Sequence, residues 1–231
     1  MRLLNEILYS GSAFWSRESN DHMDCRGFSS TEEMNQHMID KWNSRVRSND
    51  EVVILGDFCI STTGKEVNEI LARLKGRKYL IVGNHDKYIE RRSFDRSAFK
   101  WIENYKELKD NKRRIILSHY PIMCYNGQYH FDGDGGGKTY MLYGHVHNTY
   151  DEILINNYIN EVKAKTRYMD TLEREVTIPC QMINCFCMFS DYVPLTLDEW
   201  IEVDKERREN LPNTPYPGCF LQQAEGNTQG R

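Results

Sequence analysis

The sequence predicts an α/β layered fold, and three observations carry that prediction. Four short apolar runs, "EVVILGD", "KYLIVGNHD", "RRIILSHYP" and "KTYMLYGHVH", are each followed at once by polar residues, as buried strands are. Segments with helical periodicity lie between them, and strands alternating with helices favour a layered α/β architecture. At 231 residues the chain is long enough for one sizeable domain with its own core.

The elements follow in order. "SSTEEMNQHMIDKW" opens on a capping residue, Ser30 or Thr31, carries acid in its first turn, and spaces Met34, Met38 and Trp42 four apart. "GKEVNEILARLKG" puts Val67, Ile70, Leu71 and Leu74 on one face and stops at Gly76. Residues 151–180 are charged and weakly patterned, and read as an insertion packed on one edge. "MINCFCMF" reads as a late strand and "TLDEWIEVDKERREN" as a closing helix. From Leu211 onward Pro, Gly, Gln and Asn dominate, which predicts a disordered tail over 211–231.

A net charge of −4 gives no ground for a general nucleic-acid or membrane-surface binder. No apolar run is long enough to span a bilayer and no signal peptide opens the chain, so a soluble, cytoplasmic protein is expected. The seven cysteines lack the dense spacing of a disulfide scaffold and read as reduced thiols. Cys180, Cys185 and Cys187 cluster, but alternation in "MINCFCMF" favours a buried strand over a zinc site, because paired C-x-x-C knuckles are absent.

The chemistry sits at the strand ends. "LGD" delivers Asp57, "VGNHD" Asn84 and His85, "LSH" His119, and "YGHVH" His145 and His147. Sites in open α/β sheets assemble at such ends. Carboxylate, amide and imidazole together are ligands for borderline cations such as Mn, Fe or Zn. The glycines at 56, 83 and 144 suit sharp turns and close backbone approach. Asp86 reads either as a partner orienting His85 or as a helix N-cap. "FDGDGGGKTY", with Lys138, lacks P-loop spacing and reads as a turn. Tyr120 and Tyr125 read as cleft lining or as packing, and His22, His37 and His130 as surface residues.

The order GD, GNHD, H, GHxH resembles the calcineurin-like metallophosphoesterase superfamily, over about Asp24 to Trp200. "SSTEEMNQHMIDKWNSRV", "VVILGDFC" and "PLTLDEWI" are similar to its small bacterial and phage-borne members. The resemblance implies a four-layer α/β/β/α sandwich and two divalent metal ions at one edge. It implies Asp57 as the bridging carboxylate, Asn84, His119 and His145 on the second metal, and His147 on the first. It places His85 beside the scissile phosphate. A phosphate-ester substrate follows, most simply a phosphodiester. Nucleic acid is a possible but unfavoured substrate, since a basic stripe is absent.

One stretch departs from that pattern. The family's first strand ends in Asp-x-His, two ligands of the first metal, where this chain has "GSAFWSRES". Ser12 and Ser16 are poor substitutes, and Asp21 and His22 are adjacent rather than two apart. Read from the second base of each codon, however, Gly11 into Ser12 permits aspartate and Ala13 into Phe14 permits histidine. Trp15 into Ser16 then forces glycine, and Asp-x-His-Phe-Gly-His-Glu-Asn can be spelled. The chain is therefore expected to divide into an aberrant segment 1–21, out of frame in preference to genuinely divergent, a metallophosphoesterase domain 22–210 and the tail. Two expectations follow: an enzyme impaired at the first metal, with its first strand disordered or mispaired, or a degenerate metal- or phosphate-binding module.

Overall fold

A computed structural model describes residues 6–11, 14, 20–21, 24–60, 63–131 and 136–209. The tail 211–231, Ser12, Ser16 and His22 therefore lie outside the described residues.

Two four-stranded sheets form the centre. One has the order β1 (Ile7–Ser10), β2 (Glu51–Ile54), β3 (Arg77–Ile81) and β4 (Phe99–Glu103), all parallel. The other runs β10 (Met182–Asn184), β7 (Thr139–Tyr143), β6 (Arg113–Ser118) and β5 (Tyr105–Asp110), with β5 antiparallel to β6 and the remaining pairs parallel. Side-chain alternation assigns the layers. Leu8, Val52, Ile54 and Leu80 face α1 (Thr31–Arg45) and α2 (Gly64–Arg73), sharing a core with Met34, Met38, Trp42, Val67 and Leu71. Their neighbours Tyr9, Val53 and Ile81 turn the other way and meet Ile115, Leu117, Leu142 and Ile183 between the sheets. Ile116, Met141, Tyr143 and Met182 face outward onto α3 (Tyr150–Lys163), where Ile159 is buried among them. The result is the four-layer α/β/β/α sandwich. The last helix, α4 (Leu197–Glu209), closes one end by burying Leu197 and Trp200 in the inter-sheet core.

Both predicted helix starts have a local cause. The Ser30 side chain accepts from the Glu33 amide while the Glu33 carboxylate accepts from the Ser29 amide at 2.9 Å. Thr63 caps α2 through the Glu66 amide.

The structure corrects several expectations. Residues 151–180 are no edge insertion. α3 forms the fourth layer, because Ile155, Tyr158, Ile159 and Val162 make an apolar stripe that the intervening charges obscure. A short hairpin, β8 (Thr166–Met169) with β9 (Arg174–Thr177), follows it. The strand in "MINCFCMF" ends at Asn184, whose side-chain oxygen accepts from the Phe186 amide and turns the chain into a 3₁₀ turn at Cys187–Ser190. The first strand is neither disordered nor mispaired. β1 runs parallel to β2 with Ile7 opposite Glu51 and Ser10 opposite Ile54, its apolar residues serving both cores. Cys180, Cys185 and Cys187 are buried free thiols, whereas Cys25 is disulfide-bonded, unlike the all-reduced reading.

Candidate metal centre

The strand ends converge. After β2, Gly56 at φ +89° and Asp57 at φ +51° take two consecutive left-handed conformations, which turn the Asp57 carboxylate back over the sheet edge. After β3, Gly83 packs directly against that turn, since a Cβ there would lie 2.3 Å from the Asp57 amide nitrogen. His119 follows β6, and His145 and His147 follow β7, with His147 itself at φ +48°.

Four of the sequence-predicted residues meet at one point. His119 Nε2 lies 2.9 Å from Asn84 Oδ1, 3.1 Å from His145 Nδ1 and 3.3 Å from Asp57 Oδ2. The Asp57, His119 and His145 donor atoms all fall within 4.8 Å of one another. The other ring nitrogen of His119, Nδ1, faces the Leu55 carbonyl at 2.9 Å. A carbonyl only accepts, so Nδ1 carries the proton and the neutral ring turns the Nε2 lone pair inward. Four side chains able to ligate thus converge on one point, an arrangement suited to a cation.

The electrostatics agree. Burial pushes the Asp57 carboxyl up, but the hydrogen bond and charge of His119 outweigh it and hold it below the usual carboxylate range. Burial pushes His119 down, and the hydrogen bond and charge of Asp57, with the Leu55 carbonyl and the charge of Asp86, together more than reverse this. Each group is shifted toward the form that keeps a positive charge beside Asp57. His145 is pushed down by burial and by the charge of His119, which favours its neutral, ligating form. The donor set therefore fits a divalent metal ion.

The remaining predicted residues stand apart from that cluster. The His85 amide donates to Asp57 Oδ1 at 2.8 Å, and its side chain is exposed at the rim. His147 lies outside the four-residue cluster, its Nδ1 2.8 Å from Asp24 Oδ1 and its ring stacked on Phe186 at 4.5 Å. Gly11, at the end of β1, brings no donor, and a side chain there would press on the Cys185 carbonyl at 3.0 Å. Tyr125 is packing: its ring is buried and its hydroxyl accepts from the Gln181 amide. Tyr120 is 49 % exposed with its ring 4.3 Å from that of His145, on the open side of the cluster. His37 is half-buried against Phe28 and Tyr192 rather than on the surface, and His130 is exposed. Lys138 is exposed just before β7, as a turn residue is, and Asp132 to Gly135 lie outside the described residues.

Asp86 fits neither sequence reading. It occupies the cap position of the short 3₁₀ turn Lys87–Glu90 without capping it. Its carboxylate instead accepts the amides of Asp57, Phe58 and Gly83, each at 2.8 Å, and so staples the loop after β3 to the loop after β2. Burial raises it to about 6, against the pull of those amides. Asp24 and Arg26 were also missed. They form a buried pair at 2.9 Å beneath His147. Their only sequence signal is a carboxylate and a guanidinium two residues apart.

Residues 21–183 match the calcineurin-like phosphoesterase family model. The chain belongs to that family. The uncharacterized protein MJ1445 of Methanocaldococcus jannaschii is 28 % identical over 174 residues, covering 75 % of this chain and 76 % of that one. A crystal structure of the protein of unknown function AQ665 from Aquifex aeolicus superimposes with a TM-score of 0.57 at 21 % identity, covering 87 % of this chain and all of the other. That likeness concerns the fold. Membership of the calcineurin-like phosphoesterases implies metal-dependent hydrolysis of phosphate esters, and no helix among the described residues is long and apolar enough to cross a membrane.

Proposed function

We propose that this chain is a metal-dependent phosphoesterase that cleaves phosphodiester bonds, with phosphomonoesters as the alternative substrate. The observation that carries the reading is the meeting of Asp57, Asn84, His119 and His145 donor atoms around one point. These four residues would hold the second metal of a dinuclear pair, and Asp57 with His147 would hold the first. When bound, divalent cations such as Mn, Fe or Zn supply Lewis acidity toward the phosphoryl oxygens and the attacking water. Asp57 contributes the negative charge that keeps cations at the strand ends. His85, exposed beside Asn84, protonates the leaving oxygen or stabilises charge on it. Aimed at the rim, it is free for that work because it ligates nothing. The protein is expected to work in the cytoplasm of a bacterium or phage host.

The first metal position is depleted, so activity is expected to be impaired. We attribute residues 1–21 to out-of-frame translation, and a family match that begins at residue 21 supports this. A second reading, a degenerate metal- or phosphate-binding module, draws on Gly11 standing at the end of β1 without a donor. One experiment separates them: Mn²⁺-dependent hydrolysis of a chromogenic phosphodiester by this chain and by a version whose first 21 residues are replaced by a strand ending Asp-x-His-Phe-Gly-His-Glu-Asn. Activity in the repaired version, abolished by His85→Ala, supports the enzyme. Metal binding without turnover in both versions supports the module.

A further inference from the structure

His147 is the one predicted ligand that the structure parts from the others, and what holds it there has a direction. Its ring offers two nitrogens, and Nδ1 is committed to Asp24 Oδ1 at 2.8 Å. An ionised carboxylate only accepts, so in the neutral ring the proton sits on Nδ1 and Nε2 is left as the lone-pair donor. Asp24 stands as a carboxylate because its Oδ2 is paired with the buried guanidinium of Arg26 at 2.9 Å.

Asp24 cannot rotate away. Its Oδ2 accepts from Arg26 Nε at 3.1 Å and from the terminal Nη2 at 2.9 Å, and both side chains are almost wholly buried. Breaking such a buried pair strands a charge. The guanidinium is itself clamped, with Nη1 on the sulfurs of Met34 and Met38 and its plane near the Phe186 and Tyr192 rings. The ring of His147 lies flat on Phe186, at 19° between planes, and its carbonyl accepts from the Asn184 side chain at 2.7 Å. Position, tilt and tautomer of the imidazole are therefore all fixed. On the far side, His147 lines a cavity of about 10 Å³ together with Asp57, Gly11, Gly56, Gly144 and Arg26. That is room for about one water-sized guest.

We propose that Asp24, braced by Arg26, is the positioning residue of His147: it sets the Nδ1–H tautomer and leaves Nε2 as the ligating atom toward the cavity shared with Asp57. Nothing in the strand-end pattern assigns Asp24 this part, and it acts through His147 rather than on a substrate. The assignment rests on the metal-centre reading above. Carboxylates so placed orient metal-binding imidazoles, and their loss costs about 10–100-fold in metal affinity.

The test reads the tautomer directly, in the full chain, by long-range ¹⁵N–¹H correlation of ¹⁵N-histidine protein above the histidine titration range. The metal-free protein is expected to show His147 protonated at Nδ1. Asp24→Asn is expected to keep that tautomer, since its amide oxygen still accepts. The double variant Asp24→Leu/Arg26→Met removes both charges together, so that neither is stranded, and is expected to lose the tautomer and to bind zinc at His147 about 10–100-fold more weakly. Zinc added to the parent chain should then shift Nε2 of His147, along with the rings of His119 and His145. A parent chain with His147 protonated at Nε2, or a double variant with its tautomer unchanged, overturns the assignment. Zinc that leaves His119 and His145 unmoved overturns the metal-centre reading itself, and with it the ligating part given to Nε2.

Discussion

Replacing Gly83 with alanine should damage both stability and metal binding, and the structure separates the reasons. Gly83 does not have a positive φ, so alanine meets no backbone penalty there. The cost is all close approach: the added Cβ would lie 2.3 Å from the Asp57 amide nitrogen and 2.3 Å from Asp57 Oδ1. One of these is backbone, so relief requires the loops after β2 and β3 to part. Overpacking of this kind costs about 1–3 kcal/mol. Parting also stretches the Asp86 staple, where one weakened hydrogen bond to a charged acceptor is worth about 1.5–3 kcal/mol. The sum is roughly 2.5–6 kcal/mol. Gly27 provides the converse control. Its φ is +80° and a Cβ would meet nothing within 4 Å, so alanine there pays only the left-handed backbone cost, about 1–2 kcal/mol. Urea unfolding of both variants in chelator measures the difference. Calorimetric titration with Mn²⁺ should show affinity reduced at least about tenfold for Gly83→Ala, because Asp57 is displaced, and unchanged for Gly27→Ala. If Gly83→Ala cost no more than Gly27→Ala, or bound Mn²⁺ normally, close packing of these loops would not be what builds the site.

Three other outcomes follow from the same geometry. Mn²⁺ at about 100 times its dissociation constant should stabilise the protein by about 2.7 kcal/mol, and His119→Ala should abolish the resulting rise in Tm; a rise that survives places the ion elsewhere. Arg207→Met should destabilise by about 3–5 kcal/mol, because it strands Glu152, whose side chain is 1 % exposed and pairs with Arg207 at 2.6 Å; chemical unfolding reads this, and a loss under about 1 kcal/mol would contradict it. Burial holds Asp86 at about 6, above its unfolded value, so the stability it contributes is complete below about pH 4 and lost as pH rises through about 6. The lost amount is on the order of 3 kcal/mol, and metal-free protein should show it as a steeper fall between those pH values than Asp86→Asn does, whereas parallel curves would refute it.

Strands β2, β3, β6, β7 and β10, and the residues ending the first four, were legible in the sequence alone, whereas the charged β4, β5, β8 and β9 were not. Short β-branched runs stop where glycine lets the chain turn, so Asp57, Asn84, His119 and His145 were legible as strand-end donors before any contact was known. The cap at Ser30 was legible for a similar reason, being settled within three or four residues, whereas the cap at Thr63 came only with the structure. Other features needed the tertiary structure. The Asp24–His147 contact spans 123 residues, and no local pattern marks its two ends as partners. Asp86 looked like a local cap because cap residues and loop staples share a side chain, and only the approach of the two loops gives its carboxylate three amides from elsewhere. The stripe on α3 was obscured by its charges until an uncovered sheet face showed which side packs. Periodicity and turn chemistry act over a few residues and are written in the sequence. Which charged groups are buried together depends on how the layers close, and that is fixed only when the whole chain has folded.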